Sequence, residues 1–401
     1  MHDKKDGLGH PKALVGVLLC MCLWFLCYHS LAGGTLLQPN AFDSYLLQTQ
    51  NWLAGSVQIK DGGNYPWLEL ATYQGQYYLS FPPVPSVLLI PWALVFGATV
   101  PANFVISLYS IATAIGVYWW FKQLQNTPQE CAFWTLLVVM GSNFLDISSD
   151  GGVWLQAQVL NLCFAVWGLV CYRAGRKAAG FALLALAVGC RPFTAFLAVL
   201  LFVPAAVRAI RARQFGYLAK ISAAPVFIAA VLGWYNWVRF GNPFEFGHRY
   251  LPEFLRVANG QFSLAYLVPN LVNLVKPVTL SSTLQLQFPL FNGFCFFVGN
   301  PLFAYWFYQI GKQVVRRQVT LHGGVILLVW FANVVALCLH RTMGGWQFGT
   351  RYLVDTFPYV MLWQATKKDN DALGAGAWTL CGCGVLFNLY GSVQLLLAER
   401  A

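Results

Sequence analysis

Long apolar segments recur along the whole chain, and they limit the possible folds more than any other feature. The segments cover approximately 13–32, 84–98, 102–121, 131–146, 153–172, 178–190, 193–207, 221–240, 290–310, 322–340, 353–366 and 375–397. A hydrocarbon layer of about 30 Å needs roughly 20 apolar residues per helix. Only 10% of the 401 residues are charged, against about 25% in a soluble domain. We therefore predict an all-α polytopic membrane protein with about 11–12 transmembrane helices.

Basic residues fall in short clusters between the apolar segments, and these clusters predict the orientation of the chain. They comprise Arg173, Arg176 and Lys177; Arg208, Arg211, Arg213 and Lys220; Lys312, Arg316 and Arg317; and Lys367 and Lys368. Cytoplasmic loops of membrane proteins carry such an excess of Lys and Arg. We therefore expect the clusters and the lysine-bearing N-terminus in the cytoplasm. This accounts for the net charge of +11 without a nucleic-acid partner.

Three polar or mixed intervals are too long to be simple turns, and the orientation puts them all on the extracytoplasmic side. They cover 33–83, 241–289 and 341–352. The first is expected to carry short helices at the membrane interface. No soluble domain is expected, so residues 1–401 are predicted to form a single transmembrane domain in an inner or plasma membrane.

The predicted orientation leaves a conflict in the number of membrane crossings. Because the N-terminus and Arg173 are both expected in the cytoplasm, the chain between them must cross an even number of times. Five apolar segments lie there. Either 84–98 or 131–146, which are both short, is therefore expected to be re-entrant or fused with its neighbour. Irregular backbone at membrane depth is tolerated where protein or a water-filled cavity surrounds it.

Acidic residues are scarce, and Asp43 is the foremost candidate for chemistry among them. There are 14 in the chain, and ionisable groups at membrane depth are costly and tend to be functional. Asp43 comes soon after the first apolar segment and begins a stretch, Asp43–Leu53, with apolar residues at helical spacing. Such a stretch suits a short helix on the membrane surface. An N-cap is the simpler role for this aspartate, and that role does not exclude catalysis.

A short motif occurs twice in the predicted extracytoplasmic loops. Phe246–Leu251 and Phe348–Leu353 share Phe-Gly-x-Arg-Tyr-Leu, and an acidic residue follows each copy. Arg249 and Arg351, in matching contexts, suit the binding of an anionic group; the alternative is anchoring at the membrane interface. Arg191 interrupts an apolar stretch and marks either a tight turn or a phosphate partner.

Three sequence stretches resemble patterns of one glycosyltransferase class. They are Tyr77–Pro83, which reads Tyr-Tyr-x-x-Phe-Pro-Pro and leads into the next helix, Ser148–Trp154, and Trp346–Leu353. Together with a cytoplasmic N-terminus, one span and a long outer loop with an early acid, they resemble the GT-C class. That class includes protein O-mannosyltransferases and lipid A aminoarabinose transferases. The resemblance covers about the whole chain.

The resemblance implies a reaction and a set of site residues. The donor would be a sugar on a polyprenyl phosphate, and Asp43 would match the catalytic acid of the first loop, acting as a general base with inversion. Many relatives have two adjacent acids where this chain has Asp43-Ser44, which favours a single base over a metal-bridging role. A divalent cation is kept as an alternative, with no other cofactor. The residues expected to bind substrate are Arg351, Arg249, Arg191, Tyr352, Tyr78 and Asp150.

The sequence leaves two other functions open. One is a flippase for lipid-linked glycans or another transporter, which predicts ionisable residues near helix midplanes and broken helices in paired halves; here the acids lie in loops. The other is a non-catalytic membrane component of an envelope-assembly complex, which would tolerate the loss of Asp43. The expected partners of the enzyme are membrane lipids, the lipid-linked donor, and a glycan or lipid acceptor rather than a protein.

Overall fold

The computed structural model describes residues 3–255, 257–367 and 373–398, and most of these residues are helical. The α-helices are α1 (Asp3–Leu31), α2 (Ser44–Leu53), α3 (Val84–Phe96), α4 (Ala102–Gln123), α5 (Pro128–Val139), α6 (Phe144–Ile147), α7 (Val153–Arg173), α8 (Lys177–Val188), α9 (Ala195–Arg211), α10 (Phe215–Phe240), α11 (Pro252–Leu255), α12 (Leu267–Asn273), α13 (Phe296–Gly299), α14 (Pro301–Val315), α15 (Leu321–Cys338), α16 (Phe357–Gln364) and α17 (Ala375–Ala398). Two antiparallel hairpins pair β1 (Leu70–Tyr73) with β2 (Gln76–Leu79) and β3 (Thr279–Leu280) with β4 (Leu286–Gln287). Short 3₁₀ helices cover Thr35–Leu37, Gly62–Asn64, Gly97–Thr99, Pro192–Thr194, His248–Tyr250, Leu264–Tyr266 and Arg351–Thr356.

Seven helices in the described part of the chain are long and apolar enough to cross a membrane. They are Gly9–Leu31, Ala102–Gln123, Val153–Arg173, Pro192–Arg211, Phe215–Phe240, Leu321–Cys338 and Ala375–Ala398. Two shorter apolar helices are α3, extended to Thr99, and α8. The predicted class, an all-α membrane protein, is confirmed. The predicted number of spans, about 11–12, included segments that the structure divides or shortens.

The segment 131–146 shows how such a division arises. Helix α5 begins with a capping box, in which the Thr127 side chain accepts from the Glu130 N–H and the Glu130 side chain accepts from the Thr127 N–H. The helix ends at Val139, and α6 restarts at Phe144. The amides and hydroxyls of the break are satisfied by tertiary contacts, because the Asn143 side chain accepts from the Asn300 side chain at 2.7 Å.

Contacts at the helix ends resolve the conflict in the number of crossings. The Asn103 side chain at the start of α4 donates to the Thr35 carbonyl, just beyond α1, at 3.0 Å. At the other end of α3, the Val84 N–H donates to the Gly189 carbonyl, just beyond α8, at 3.3 Å. Helix α3 therefore starts and finishes at the same end of the bundle. The segment 84–98 is therefore the re-entrant one of the two short segments, and four helices, α1, α4, α5 and α7, remain between the N-terminus and Arg173.

The basic clusters lie at the other end of the bundle. Arg173 closes α7, Arg208 and Arg211 close α9, and Lys312 lies in the last turn of α14. The loops 33–83, 241–289 and 341–352 join the opposite helix ends. The structure thus separates the basic clusters from the long loops, as the charge pattern predicts. Lys368, from the last cluster, lies outside the described residues.

Candidate functional site

Asp43 caps helix α2 and keeps one carboxylate oxygen unused. Its Oδ1 accepts a hydrogen bond from the Leu46 N–H at 3.0 Å. Its Oδ2 is buried and has no hydrogen-bond partner among the described residues. Burial, followed by the charge of Asp150, raises the pKa of Asp43 to about 7. The same side chain can therefore cap the helix and exchange a proton near neutral pH.

Asp150 orders the chain that precedes Asp43. Its Oδ1 accepts from the Asn40 side chain and from the Gly152 N–H, both at 2.6 Å. The Asn40 side-chain oxygen in turn accepts from the Phe42 N–H at 2.9 Å. Burial raises the pKa of Asp150. Asp150 therefore lies at the same end of the bundle as the first long loop and helps to fix the residues that precede Asp43.

The Arg351 side chain lies against the backbone of Gly344, and two of its nitrogens have no partner among the described residues. One of its terminal nitrogens, Nη2, donates to the Gly344 carbonyl at 2.6 Å, while Nε and Nη1 are buried without a partner in the described part of the chain. A Cβ on Gly344 would lie 2.9 Å from the Arg351 Nε. Burial lowers the pKa of Arg351, yet a guanidinium stays protonated in proteins. A buried charge of this kind calls for an anion.

Arg191 lies against the ring of Tyr352, the residue that follows Arg351. Its guanidinium carbon is 4.6 Å from the centroid of the Tyr352 ring, and that of Arg351 is 5.4 Å from the same ring. The Arg191 Nε also pairs with Asp355 at 2.9 Å. Tyr352 therefore brings two guanidinium groups together, one of them partly neutralised by a carboxylate.

Three residues on one face of α7 hold the site together; Trp154 ends one of the stretches that resemble the GT-C class, whereas Gln158 and Asn161 were not predicted from the sequence. Trp154 donates to the Glu69 carboxylate at 2.9 Å, Gln158 to the Arg351 carbonyl at 2.9 Å, and Asn161 to Asp355 at 3.1 Å. Their spacing of four and three residues puts them on one helix face. Amide side chains in an otherwise apolar helix were the available signal.

One ring contact and several electrostatic interactions link these residues at one end of the bundle. The Trp154 ring lies 5.8 Å from that of Phe42, which precedes Asp43. The Tyr45 hydroxyl lies close enough to Asp43 and Arg191 to feel both charges, and Glu69 acts in the same way on Arg351. We call this set the polar ring; it consists of Phe42, Asp43, Tyr45, Glu69, Trp154, Arg191, Arg351 and Tyr352.

Arg249 and Tyr78, the other two expected binding residues, are placed differently. Both copies of the repeated motif turn at a glycine with positive φ, Gly247 and Gly349, and continue into a 3₁₀ helix. The two copies therefore share a glycine turn and a 3₁₀ helix as well as a sequence. The Arg249 side chain is 60% exposed and pairs with Glu245, whereas Arg351 is buried. Tyr78 is buried, with its ring 5.3 Å from that of Phe240.

An apolar groove of about 470 Å³ runs beside the polar ring. Its walls come from α2, α3, α8 and α10 and include Trp52, Pro83, Val84, Val87, Leu88, Leu186, Phe227, Ile228, Val231, Leu232, Trp234 and Tyr235. Val84 contacts Gly189, two residues before Arg191. One wall residue of the groove, Val84, is therefore bonded to the chain segment that leads to Arg191.

Metal-binding side chains are sparse at this end of the bundle. Within residues 3–255, 257–367 and 373–398, no group of three or more His, Cys, Asp and Glu side chains could hold a metal ion. A divalent cation at Asp43 and Asp150 would need its other ligands from backbone, amide or water oxygens.

Solved structures share this fold, although neither a protein-family model nor a curated protein matches the chain. An oligosaccharyltransferase of Archaeoglobus fulgidus, in the apo form, gives a TM-score of 0.53 at 14% identity, over 97% of this chain and 56% of that one. ArnT of Cupriavidus metallidurans bound to undecaprenyl phosphate gives 0.50 at 16% identity, over 91% and 61%. Its apo state gives 0.50 at 16%, over 93% and 62%. The chain thus spans 56–62% of these structures' lengths. The oligosaccharyltransferase and ArnT are GT-C glycosyltransferases, so the expected GT-C-like fold is confirmed.

Proposed function

We propose that this chain is a GT-C-type glycosyltransferase that moves a sugar from a polyprenyl-phosphate donor to an extracytoplasmic acceptor. The polar ring carries the proposal, because it joins a carboxylate oxygen with no partner among the described residues to two guanidinium groups in a buried setting. The shared fold supports the donor class, since one of the ArnT structures is bound to undecaprenyl phosphate. The acceptor is a glycan or lipid of the cell envelope.

Asp43 acts as the general base. A base works best when its pKa lies near the operating pH, and burial brings the pKa of Asp43 to about 7. The proton of the acceptor hydroxyl goes to Oδ2, because Oδ1 is engaged with the Leu46 N–H. The capping bond also fixes the direction in which the free oxygen points.

Arg351 stabilises the departing lipid phosphate, with Arg191 second and Arg249 third. Preorganised donors in a site of low dielectric constant act strongly on charge that develops in the transition state. Arg351 has two buried nitrogens without a partner among the described residues. Arg191 forms an ion pair with Asp355, and Arg249 is exposed and forms an ion pair with Glu245. The order follows from how much of each charge remains to be compensated.

The transfer is a single displacement. The acceptor oxygen forms a bond to the anomeric carbon while the bond from that carbon to the phosphate oxygen breaks, and the electron pair leaves with the phosphate. The carbon passes through an oxocarbenium-like state, as in glycoside hydrolysis. One displacement inverts the anomeric centre. The prenyl tail lies in the apolar groove beside Arg191, and no step is assigned to a metal ion.

Transfer by the purified protein tests this proposal. The protein in nanodiscs receives a panel of radiolabelled polyprenyl-phosphate sugars with cell-envelope acceptors, and the product is analysed for its anomeric configuration. We expect transfer from at least one donor, with inversion. A protein that transfers nothing across the panel but moves lipid-linked glycan between leaflets would be a transporter.

A further inference from the structure

The hydroxyl of Tyr45 is buried and unused, which is unusual for a tyrosine. The side chain is 0% exposed, and its Oη has no hydrogen-bond partner among the described residues. Buried tyrosine hydroxyls usually find a partner, and one left unsatisfied costs stability. Tyr359, which is just as buried, shows the usual case: its Oη accepts from the Asn333 side chain at 3.1 Å. Packing alone therefore accounts for the ring of Tyr45 but not for its hydroxyl.

Tyr45 interacts electrostatically with both the proposed base and Arg191. It stands two residues after Asp43 in the first turn of α2, and the charges of Asp43 and Arg191 both act on its hydroxyl. Two hydrogen bonds of α3 hold this arrangement. The Ser86 hydroxyl donates to the Tyr45 carbonyl at 3.1 Å. The Val84 N–H, two residues earlier on α3, donates to the Gly189 carbonyl. The first turn of α2 is thus fixed against the chain that carries Arg191.

Arg191 keeps guanidinium nitrogens that Asp355 does not occupy. Its Nε is taken by Asp355, whereas the side chain retains 15% exposure. Since Asp355 occupies only Nε, the two Nη groups remain to contact a phosphate. The charge of Arg191 acts on the Tyr45 hydroxyl, which has a proton to donate to a phosphate bound at Arg191.

We propose that the Tyr45 hydroxyl donates a hydrogen bond to the lipid-linked phosphate that Arg191 binds, an inference that rests on the proposed function. Tyr45 is then a phosphate-binding residue, separate from the proton transfer at Asp43. Hydrogen bonds to charged groups are stronger than those between neutral groups. The loss of this one should weaken phosphate binding by about ten- to a hundredfold.

Tyr45→Phe tests the inference, because it deletes the hydroxyl and keeps the ring. The probes are undecaprenyl phosphate and, as the uncharged counterpart, undecaprenol, titrated against the purified protein with Kd and melting temperature as readouts. Tyr45→Phe should lose affinity for the phosphate but not for the alcohol, and should melt at or above the parent temperature. Tyr359→Phe is the matched control, which should melt lower because it removes one of the two acceptors of the Asn333 amide, and should bind both lipids as the parent does.

The outcomes separate this inference from the proposed function. A parent protein that binds no undecaprenyl phosphate would overturn both. A parent that binds it while Tyr45→Phe binds equally well would overturn the role of Tyr45 alone. A Tyr45→Phe protein that is destabilised as much as Tyr359→Phe would also overturn it, since the hydroxyl would then be structural.

Discussion

At the residue scale, Asp43 caps α2 with one carboxylate oxygen and keeps the other buried without a hydrogen-bond partner among the described residues. Its position after the first span and before a helical pattern was enough to predict a cap, and the structure shows that cap. The two arginines share Phe-Gly-x-Arg-Tyr-Leu, and in each copy the glycine has a positive φ and a 3₁₀ helix includes the arginine. Their burial differs because the loops around them differ, and no feature within Phe-Gly-x-Arg-Tyr-Leu carries that information. Arg249 and Arg351 therefore could not be ranked by burial from the motif.

The raised pKa of Asp43 predicts how transfer depends on pH. Only the carboxylate accepts a proton, so with a pKa of about 7 the rate should fall about tenfold per pH unit below that value. It should level off above pH 8. A kcat/KM profile between pH 5 and 9, with melting temperature recorded at each point, measures this. A rate that is flat down to pH 5 would mean that Asp43 titrates at its ordinary value or takes no proton.

At the element scale, the sequence predicted the long helices well and the irregular ones poorly. Spans such as α4 and α7 follow from length and apolar composition. The break between α5 and α6 depends on Asn143, whose amide bonds to Asn300 and accepts from the Thr350 N–H. These partners lie 157 and 207 residues away along the chain. Contacts of that separation are set by the packed bundle, which local periodicity does not report.

The turn before Arg351 offers a test of how an element positions the site. Gly344 and Gly345 both have positive φ, but a Cβ on Gly344 would lie 2.6 Å from Gln347 and 2.9 Å from Arg351, whereas one on Gly345 would meet nothing within 4 Å. Both substitutions to alanine add backbone strain. Gly344→Ala should therefore weaken transfer and phosphate binding well beyond Gly345→Ala, by about tenfold or more.

The comparison of the two glycine variants separates the side-chain contacts of position 344 from the backbone strain that both substitutions add. Melting temperatures and kcat/KM are measured for both. If Gly344→Ala and Gly345→Ala lose activity to the same extent, backbone strain in the loop explains the loss and the contact with Arg351 contributes nothing.

At the scale of the whole molecule, charge asymmetry predicts the side of the membrane on which each loop lies. The basic clusters and the polar ring occupy opposite ends of the bundle, and basic loops favour the cytoplasm. In a background without native thiols, single cysteines at Asn64 and Asn259, both exposed, should react with an impermeant maleimide in intact cells. A cysteine at Gln214, exposed between α9 and α10, should react only after lysis. Labelling in the reverse order would invert the orientation.

The proposed transfer mechanism depends on a carboxylate at position 43, which Asp43→Asn removes. Asparagine caps a helix about as well as aspartate, and it removes a charge that burial disfavours, so folding and donor binding should be kept. General-base catalysis is typically worth about 10²–10⁴-fold, and transfer by Asp43→Asn should fall by that much. Asp61→Asn, at an exposed acid of the same loop, should transfer as the parent does. If Asp43→Asn transferred sugar at the parental rate from a donor that the parent uses, Asp43 would not be the general base.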